Sequence, residues 1–414
     1  MFRCLPISTS ARDPNNGRVS VIKAVSPDRS LEIQLAELHR RQAEHPFWTS
    51  PLLAGFAQGA FTKDDLAYIF SQYHHYSRSF TKFIAAVMAN CDNDLFRAQL
   101  SENLWEEGGG CEPDRRHAQI FRNFLTRSLG VEDPEKIDYA PYTRNYVREY
   151  LVTCLRSEPM AGAAFLSLGT EGIVARLYEI MLKGLRAAGV PDDELEFFHI
   201  HISCDDEHAV TLENMMASYA KDPGWFDACW KACDHALSLR AEFFANIFNA
   251  LQISRVGPLL ERMQAHQSLA LGLPDSALVH RTSNEGPQLY ANKNERLNID
   301  FTVERMPVQA EVLDPRMVRI PAGKFNEKHK HAHETLIHIL EGVGQVVVDE
   351  RVLAVRPGDS VLVPRWAMHQ TQNLGNTEMR FLAVTDFNLS QRAYLGNATD
   401  YRQGTDADGH ARKH

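Results

Sequence analysis

"FFHIHISCDDEHAV", residues 197–210, is the stretch from which the rest of the chain is best read. On a helix of 3.6 residues per turn, His201, Asp205 and His208 stand at i, i+4 and i+7 and share one narrow stripe. Two imidazoles and a carboxylate on one stripe make a face suited to a metal ion. The step Asp205-x-x-His208 also parallels the carboxylate-x-x-His element of di-iron helical bundles. Standing alone, such a stripe is more often a solvated polar face, so its meaning depends on partners elsewhere.

Two other segments supply them. "FLSLGTEGIVARLYEI", 165–180, sets Glu171 in apolar surroundings, and a carboxylate is costly to bury there without a metal or a cation. "ENLWEEGGGCEPDRRHAQIF", 102–121, offers Glu102, Glu106, Glu107 and His117. Its three glycines and Pro113 interrupt the helix, which lets the acids and His117 return toward one centre. Together these regions hold three histidines and three carboxylates, the ligand stock of a carboxylate-bridged di-iron centre.

Around these ligands the apolar spacing is helical from about 29 to 270. Helices are expected near 63–90, 94–107, 114–130, 142–156, 160–188, 192–220 and 223–253, with Thr62 and Asp65 as a capping box. An all-α bundle of seven or more helices follows. Residues 1–28 mix Pro, Asn, Ser and Arg without a period and are expected to be a flexible leader. Residues 271–295 lose the period and are expected to be a linker. From there the pattern changes: short strands punctuated by Gly and Pro predict a small all-β domain over 296–390. The polar stretch 391–414 is expected to be a disordered tail.

The β half resembles the cupins through two motifs. The first is Gly323, five residues, then His329 and His331; the second is Gly358, five residues, Pro364, then His369 and Asn373. Alternate strand residues point the same way, so His329 and His331 face one interior, to which a neighbouring strand brings His369. The usual fourth ligand falls at Thr335, which is no carboxylate, and the usual second glycine is Trp366. Three histidines with open positions still suit a mononuclear Fe(II). His333 shares their parity as a weaker candidate, whereas His338 has the opposite one.

The helical half resembles the haem-oxygenase-like di-iron oxidases over roughly residues 30–260. Their spacing of Glu, His, Glu, His, Asp and His is matched by Glu107, His117, Glu171, His201, Asp205 and His208. The resemblance implies a haem-oxygenase-like bundle that holds a di-iron centre, with Glu107 and Glu171 as the catalytic, bridging carboxylates. Relatives that oxygenate amines carry one more glutamate on an earlier helix. Here no Glu occurs between Glu44 and Glu102, and "QYHHYSRSFTKF" has His74, His75 and Thr81 instead.

A helical oxidase followed by a cupin is similar to the bifunctional N-oxygenases of natural-product biosynthesis. That similarity implies dioxygen as co-substrate and a small amine or guanidine as substrate. It also implies an external electron donor, a cupin iron that acts on the product, and a homodimer. Three other readings stay open: an oxidase that cleaves C–H or C–C bonds of an amino or fatty acid, a non-catalytic regulatory protein bearing a cupin, and a thiaminase-like hydrolase with Cys111 or Cys204 as nucleophile.

Composition narrows the field further. With 44% apolar and 23% charged residues among 414, the chain has an ordinary globular balance. Its net charge of −9 argues against a nucleic-acid partner, which demands clustered positive charge. No apolar run approaches the roughly 18 residues of a membrane span, so no membrane partner is expected. Seven cysteines without a C-x-x-C pair predict reduced thiols and a cytoplasmic location.

Overall fold

The break between Glu107 and His117 shapes the helical half. In the computed structural model, which describes residues 29–203, 207–266, 272–279, 288–394, 396 and 398–403, α5 (Asp94–Glu107) ends at the glycine run. A single 3-10 turn at Pro113–Arg115 follows, and α6 (His117–Leu129) begins on the predicted ligand itself. Gly109 holds φ at +84°, and a Cβ there would meet the Glu112 carbonyl oxygen at 2.5 Å. This turn therefore requires glycine.

The remaining helices before the break are α1 (Arg29–Ala43), α2 (Pro51–Ala57), α3 (Lys63–Ser77) and α4 (Phe80–Asn90). Thr62 and Asp65 cap α3 reciprocally, as the sequence predicts. After the break come α7 (Pro141–Arg156), α8 (Pro159–Ser167), α9 (Val174–Ala187), α10 (Glu196–Ser203) and α11 (Glu207–Ala217). The bundle closes with α12 (Trp225–Gln264), 40 residues long. Its core is aromatic: Phe70, Phe121, Phe124, Phe197 and Phe198 are buried and meet mostly edge to face.

Not every expected helix is continuous: the run predicted over 63–90 is α3 and α4, parted at Arg78 and Ser79, and that over 192–220 is described as α10 and α11. The run predicted over 160–188 divides into α8 and α9 around a 3-10 turn at Glu171–Ile173. The cause is packing. A Cβ on Gly169 would lie 2.3 Å from the Ala236 Cβ of α12, so the chain approaches its neighbour there closer than a regular side-chain-bearing helix allows. Likewise α12 continues to Gln264, beyond the expected end near 253, with Pro258 inside it.

A short helix, α13 (Asp275–Leu278), leads into the β half. Its strands are β1 (Gln288–Asn294), β2 (Ile299–Arg305), β3 (Asp314–Ile320), β4 (His329–His331), β5 (Thr335–Glu341), β6 (Gly344–Val348), β7 (Arg351–Val355), β8 (Ser360–Val363), β9 (His369–Asn373) and β10 (Met379–Thr385). Helix α14 (Phe387–Ala393) and β11 (Thr399–Arg402) are the last elements among the described residues. Two antiparallel sheets form, ordered β1-β2-β3-β10-β5-β8 and β11-β4-β9-β6-β7. Ile299, Ile320, Ile339, Val346, Val363 and Phe381 fill the space between them.

The strand pairing corrects both edges of the predicted β domain. β1 pairs with β2, so the domain starts inside the stretch expected to be linker. β11 pairs with β4, so part of the expected tail is a sheet strand. Alternation in these short segments is too brief to register as a strand from sequence alone. The expected leader, residues 1–28, and the end of the tail lie outside the described residues.

Candidate metal centres

Three donors from three helices meet in the bundle. Glu107 ends α5, His117 opens α6 and His201 lies on α10. The Glu107 Oε2 lies 2.7 Å from His117 Nδ1, and His201 Nε2 lies 3.3 Å from that same nitrogen. One ligating atom from each falls within 4.8 Å of the other two. The outer contacts orient both rings. His201 Nδ1 donates to the Phe197 carbonyl at 2.6 Å, which leaves Nε2 its lone pair. His117 Nε2 shares a hydrogen bond of 2.9 Å with the Ser77 hydroxyl, which turns the Nδ1 edge of the ring toward Glu107 and His201.

Three electron-pair donors aimed at one point repel unless a cation sits among them, and one proton satisfies one contact. The site fits a metal ion on these grounds, and the mix of carboxylate oxygen with imidazole suits iron or manganese. Glu171 is buried in the 3-10 turn between α8 and α9 and lines the same cavity. Thr170 is fixed beside it by a hydrogen bond with the Tyr150 hydroxyl. Glu102 and Glu106 are exposed and take no part in lining it. Cys204 and Asp205 lie outside the described residues; His208 belongs to α11 by its backbone, and its side chain is not described.

The rest of the cavity wall is Tyr73, Tyr76, Ser77, Phe80, Tyr178 and Arg240. His74, His75 and Thr81 are not part of it. His74 instead bonds Tyr139 at 2.9 Å and stacks on Phe121, and His75 stacks on Tyr139. The α3 positions that line the cavity are Tyr73, Tyr76 and Ser77, so this helix brings no carboxylate to it. Ser77 and Arg240 were not legible as site residues, because neither belongs to a ligand type or a recognisable spacing.

The β half builds a second cluster. β4 and β9 are antiparallel with His329 opposite His369, and His331 follows on β4. Their donor atoms also lie within 4.8 Å of one another. Each ring is oriented by a backbone carbonyl: His329 Nδ1 by Glu327 at 2.9 Å, His331 Nδ1 by His333 at 2.9 Å and His369 Nδ1 by Ala367 at 3.0 Å. All three therefore present Nε2 lone pairs to a cavity of about 480 Å³. Burial holds them neutral, pushing His331 down to about 3 and His329 well below the usual imidazole range.

His333 lines the same cavity with its ring stacked on His331, centroids 3.4 Å apart. His338 faces away and contacts Ser360. Thr335 lines the cavity where a fourth ligand was expected. Glu327 is also there, but Arg402, Tyr290 and Asn292 engage its oxygens. Trp366 adopts φ +62°, the left-handed conformation for which its position ordinarily carries glycine.

Known proteins bear on both halves. Residues 67–241 match a haem-oxygenase-type family model described as an iron-containing redox enzyme, and residues 316–385 match that of the cupin domain. The chain is 24% identical to the 4-aminobenzoate synthase of Chlamydia trachomatis over 196 residues, 46% of this chain and 80% of that protein. It is 22% identical to the 4-chloro-allylglycine synthase of Streptantibioticus cattleyicolor over 180 residues, 43% of this chain and 66% of that one. A cupin 2 conserved barrel domain protein from Rhodopseudomonas palustris aligns with 31% of this chain and 77% of its own, at 23% identity and a TM-score of 0.22. Among the described residues no helix is long and apolar enough to cross a membrane.

Proposed function

We propose that this chain, a haem-oxygenase-like domain joined to a C-terminal cupin, is a non-haem di-iron N-oxygenase. With dioxygen as co-substrate it would oxidise the amine or guanidine nitrogen of a small molecule in natural-product biosynthesis. The observation that carries the reading is the convergence of Glu107, His117 and His201 on one point, beside Glu171, inside a bundle matched to iron-containing redox enzymes.

Glu107, His117, Glu171, His201, Asp205 and His208 would hold two irons, and His329, His331 and His369 a third. Iron in the helical half supplies a binding point and reducing equivalents for dioxygen when bound. The chain's own residues do the rest. The Phe197 carbonyl keeps His201 in its ligating tautomer, and Ser77 orients the His117 ring. Phe80, Tyr178 and Leu177 wall the cavity and limit water. An external electron donor would be the partner that supplies reducing equivalents. The barrel cavity, with its own neutral histidine triad, would receive the product.

A second reading keeps the metals and changes the bond attacked: oxidation at C–H or C–C. It is favoured by Ser77 facing the site where amine-oxygenating relatives are expected to bring an extra glutamate.

The test is anaerobic loading with Fe(II), an iron count, then exposure to dioxygen with candidate amines and mass spectrometry of products. About two irons in the helical half and about one in the barrel are expected, with hydroxylamine, nitroso or nitro products. Products lacking a new N–O bond would select the second reading, and iron absent from the helical half would overturn both.

A further inference from the structure

Glu327 stands two residues before His329, and alternation carried back from β4 gives it the parity of His329 and His331. It is 1% exposed and lines the barrel cavity together with the histidine triad. Its own backbone carbonyl orients the His329 ring at 2.9 Å. A carboxylate in that place is set to become a fourth ligand, yet it is held elsewhere. The Tyr290 hydroxyl donates to Glu327 Oε2 at 3.0 Å, Asn292 Nδ2 donates to the same oxygen at 2.7 Å, and the Arg402 guanidinium pairs with Oε1. The barrel donors that lie within 4.8 Å of one another belong to the three histidines, and Glu327 is not among them.

Arg402 comes to this place from 75 residues further along the chain. It ends β11, the outermost strand of its sheet, and in the pairing of β11 with β4 it stands opposite His329. Its guanidinium carbon lies 4.9 Å from the centroid of the Tyr290 ring, which β1 supplies from the other sheet. Burial keeps His329 and His369 below the usual imidazole range, and the Arg402 charge adds to that.

Stability alone is a poor account of this ion pair, because two charges enclosed together bring a desolvation cost that an apolar pair of similar volume avoids. What the clamp achieves is to saturate a carboxylate that shares a cavity with three nitrogen donors. Thr335 stands where a cupin carboxylate is expected, so the donor set stays neutral as long as Glu327 is kept off it.

On the reading of His329, His331 and His369 as a metal site, on which the inference rests, we propose that Arg402 is a positioning residue. With Tyr290 and Asn292 it withholds Glu327 from the barrel metal and so keeps a coordination position open for an exogenous ligand. Released from the clamp, Glu327 takes that position and turns three imidazoles into three imidazoles and a carboxylate. The strand that carries Arg402 thereby decides the donor set of a site to which it gives no ligand.

The test uses the full chain with Co(II), whose visible absorption reports its coordination, and imidazole as an uncharged exogenous ligand. The part of the absorption that is lost in His369→Ala belongs to the barrel. In the wild type that part should be present and shift saturably with imidazole. Arg402→Met should bind Co(II) in the barrel at least about tenfold more tightly, and imidazole there at least about tenfold more weakly, because Glu327 now competes for the position. Adding Glu327→Gln should return imidazole binding to its wild-type strength. Undiminished imidazole binding in Arg402→Met would overturn the proposal, as would a loss that persists in the double variant.

Thermal midpoints cover the case of a weakened fold. Metal-free Arg402→Met should melt below the wild type, since it encloses an unpaired carboxylate, and Co(II) should raise its midpoint further than that of the wild type. A barrel that stays unfolded in excess Co(II) would mark Arg402 as a structural strut and overturn the proposal. A wild type with no cobalt absorption dependent on His369 is a different failure: it would overturn the barrel metal site itself, and the role of Arg402 with it.

Discussion

Asn373 lies outside the histidine triad, yet it holds that end of the barrel together. Its amide nitrogen donates to the carbonyls of Ile320, Pro321 and Thr377 at 2.8–3.0 Å, and its oxygen accepts from Gly375 at 2.9 Å. Asn373→Ala would strand these buried backbone groups and should cost about 3 kcal/mol, read by chemical denaturation. Iron binding at His329, His331 and His369 should survive below the new midpoint.

His74 gives a pH prediction of known sign. Desolvation pushes its imidazole down to about 3, against roughly 6.5 in an unfolded chain. Between those values the unfolded state binds a proton that the folded state refuses. His74 therefore lends stability above about pH 6.5 that is lost as the pH falls toward 3. His74→Phe keeps the stack on Phe121 and removes the titration. Its melting temperature should fall less steeply than that of the wild type between pH 6.5 and 4. An unchanged slope would assign the acid sensitivity to other histidines.

Residues differ in how legible they were. Glu107, His117 and His201 announce themselves by type and spacing, as do His329, His331 and His369. Arg240 does not. Within "SLRAEFFANIF" it reads as a solvent-facing cation, and its burial exists only because α3, α7 and α8 surround that turn of α12. Ser77 is equally silent, because its importance is one hydrogen bond to a residue 40 positions away.

At the scale of elements, boundaries were harder to see than identities. The helical periodicity on both sides of Glu171 is continuous, so the sequence conceals that the helix breaks there. Contact with α12 imposes the break, which local propensity cannot encode. Gly169→Ala should separate α8 from α12 and cost about 1–3 kcal/mol, measured by denaturant unfolding. Adding Ala236→Gly should recover part of that loss, since the overlap is between these two Cβ positions. The glycine run after α5 was easier to read, because three successive glycines have few other uses.

The two halves meet along the last turns of α12. Gln252 donates to the Ala393 carbonyl at 3.0 Å, and Arg262 pairs with Glu311, its Nε 2.9 Å from the carboxylate. The Gln309 amide donates to the Ala277 carbonyl at 2.9 Å, tying α13 to the barrel side. Glu311→Lys would set two cations against each other and should weaken this seam by about 1 kcal/mol. Calorimetry should then resolve two melting transitions, or separate them further. His369→Ala should abolish the iron site proposed for the β half, lowering the metal count by about one without affecting the count in the helical half. That the halves differ in period was plain from sequence; that one helix reaches from one half to the other was not, since its end was expected near 253.

That helix has a practical consequence for dissecting the enzyme. At about 1.5 Å per residue, α12 is a rod of roughly 60 Å. It begins under the bundle, passes Arg240 at mid-length, and ends against the barrel. A gene cut at 253, the end expected for the last helix, would saw through the rod and lay bare Leu259. Excision of either half should instead be made past Gln264, and shuffling experiments that splice foreign cupins onto this oxidase should carry the entire shaft with the donor bundle.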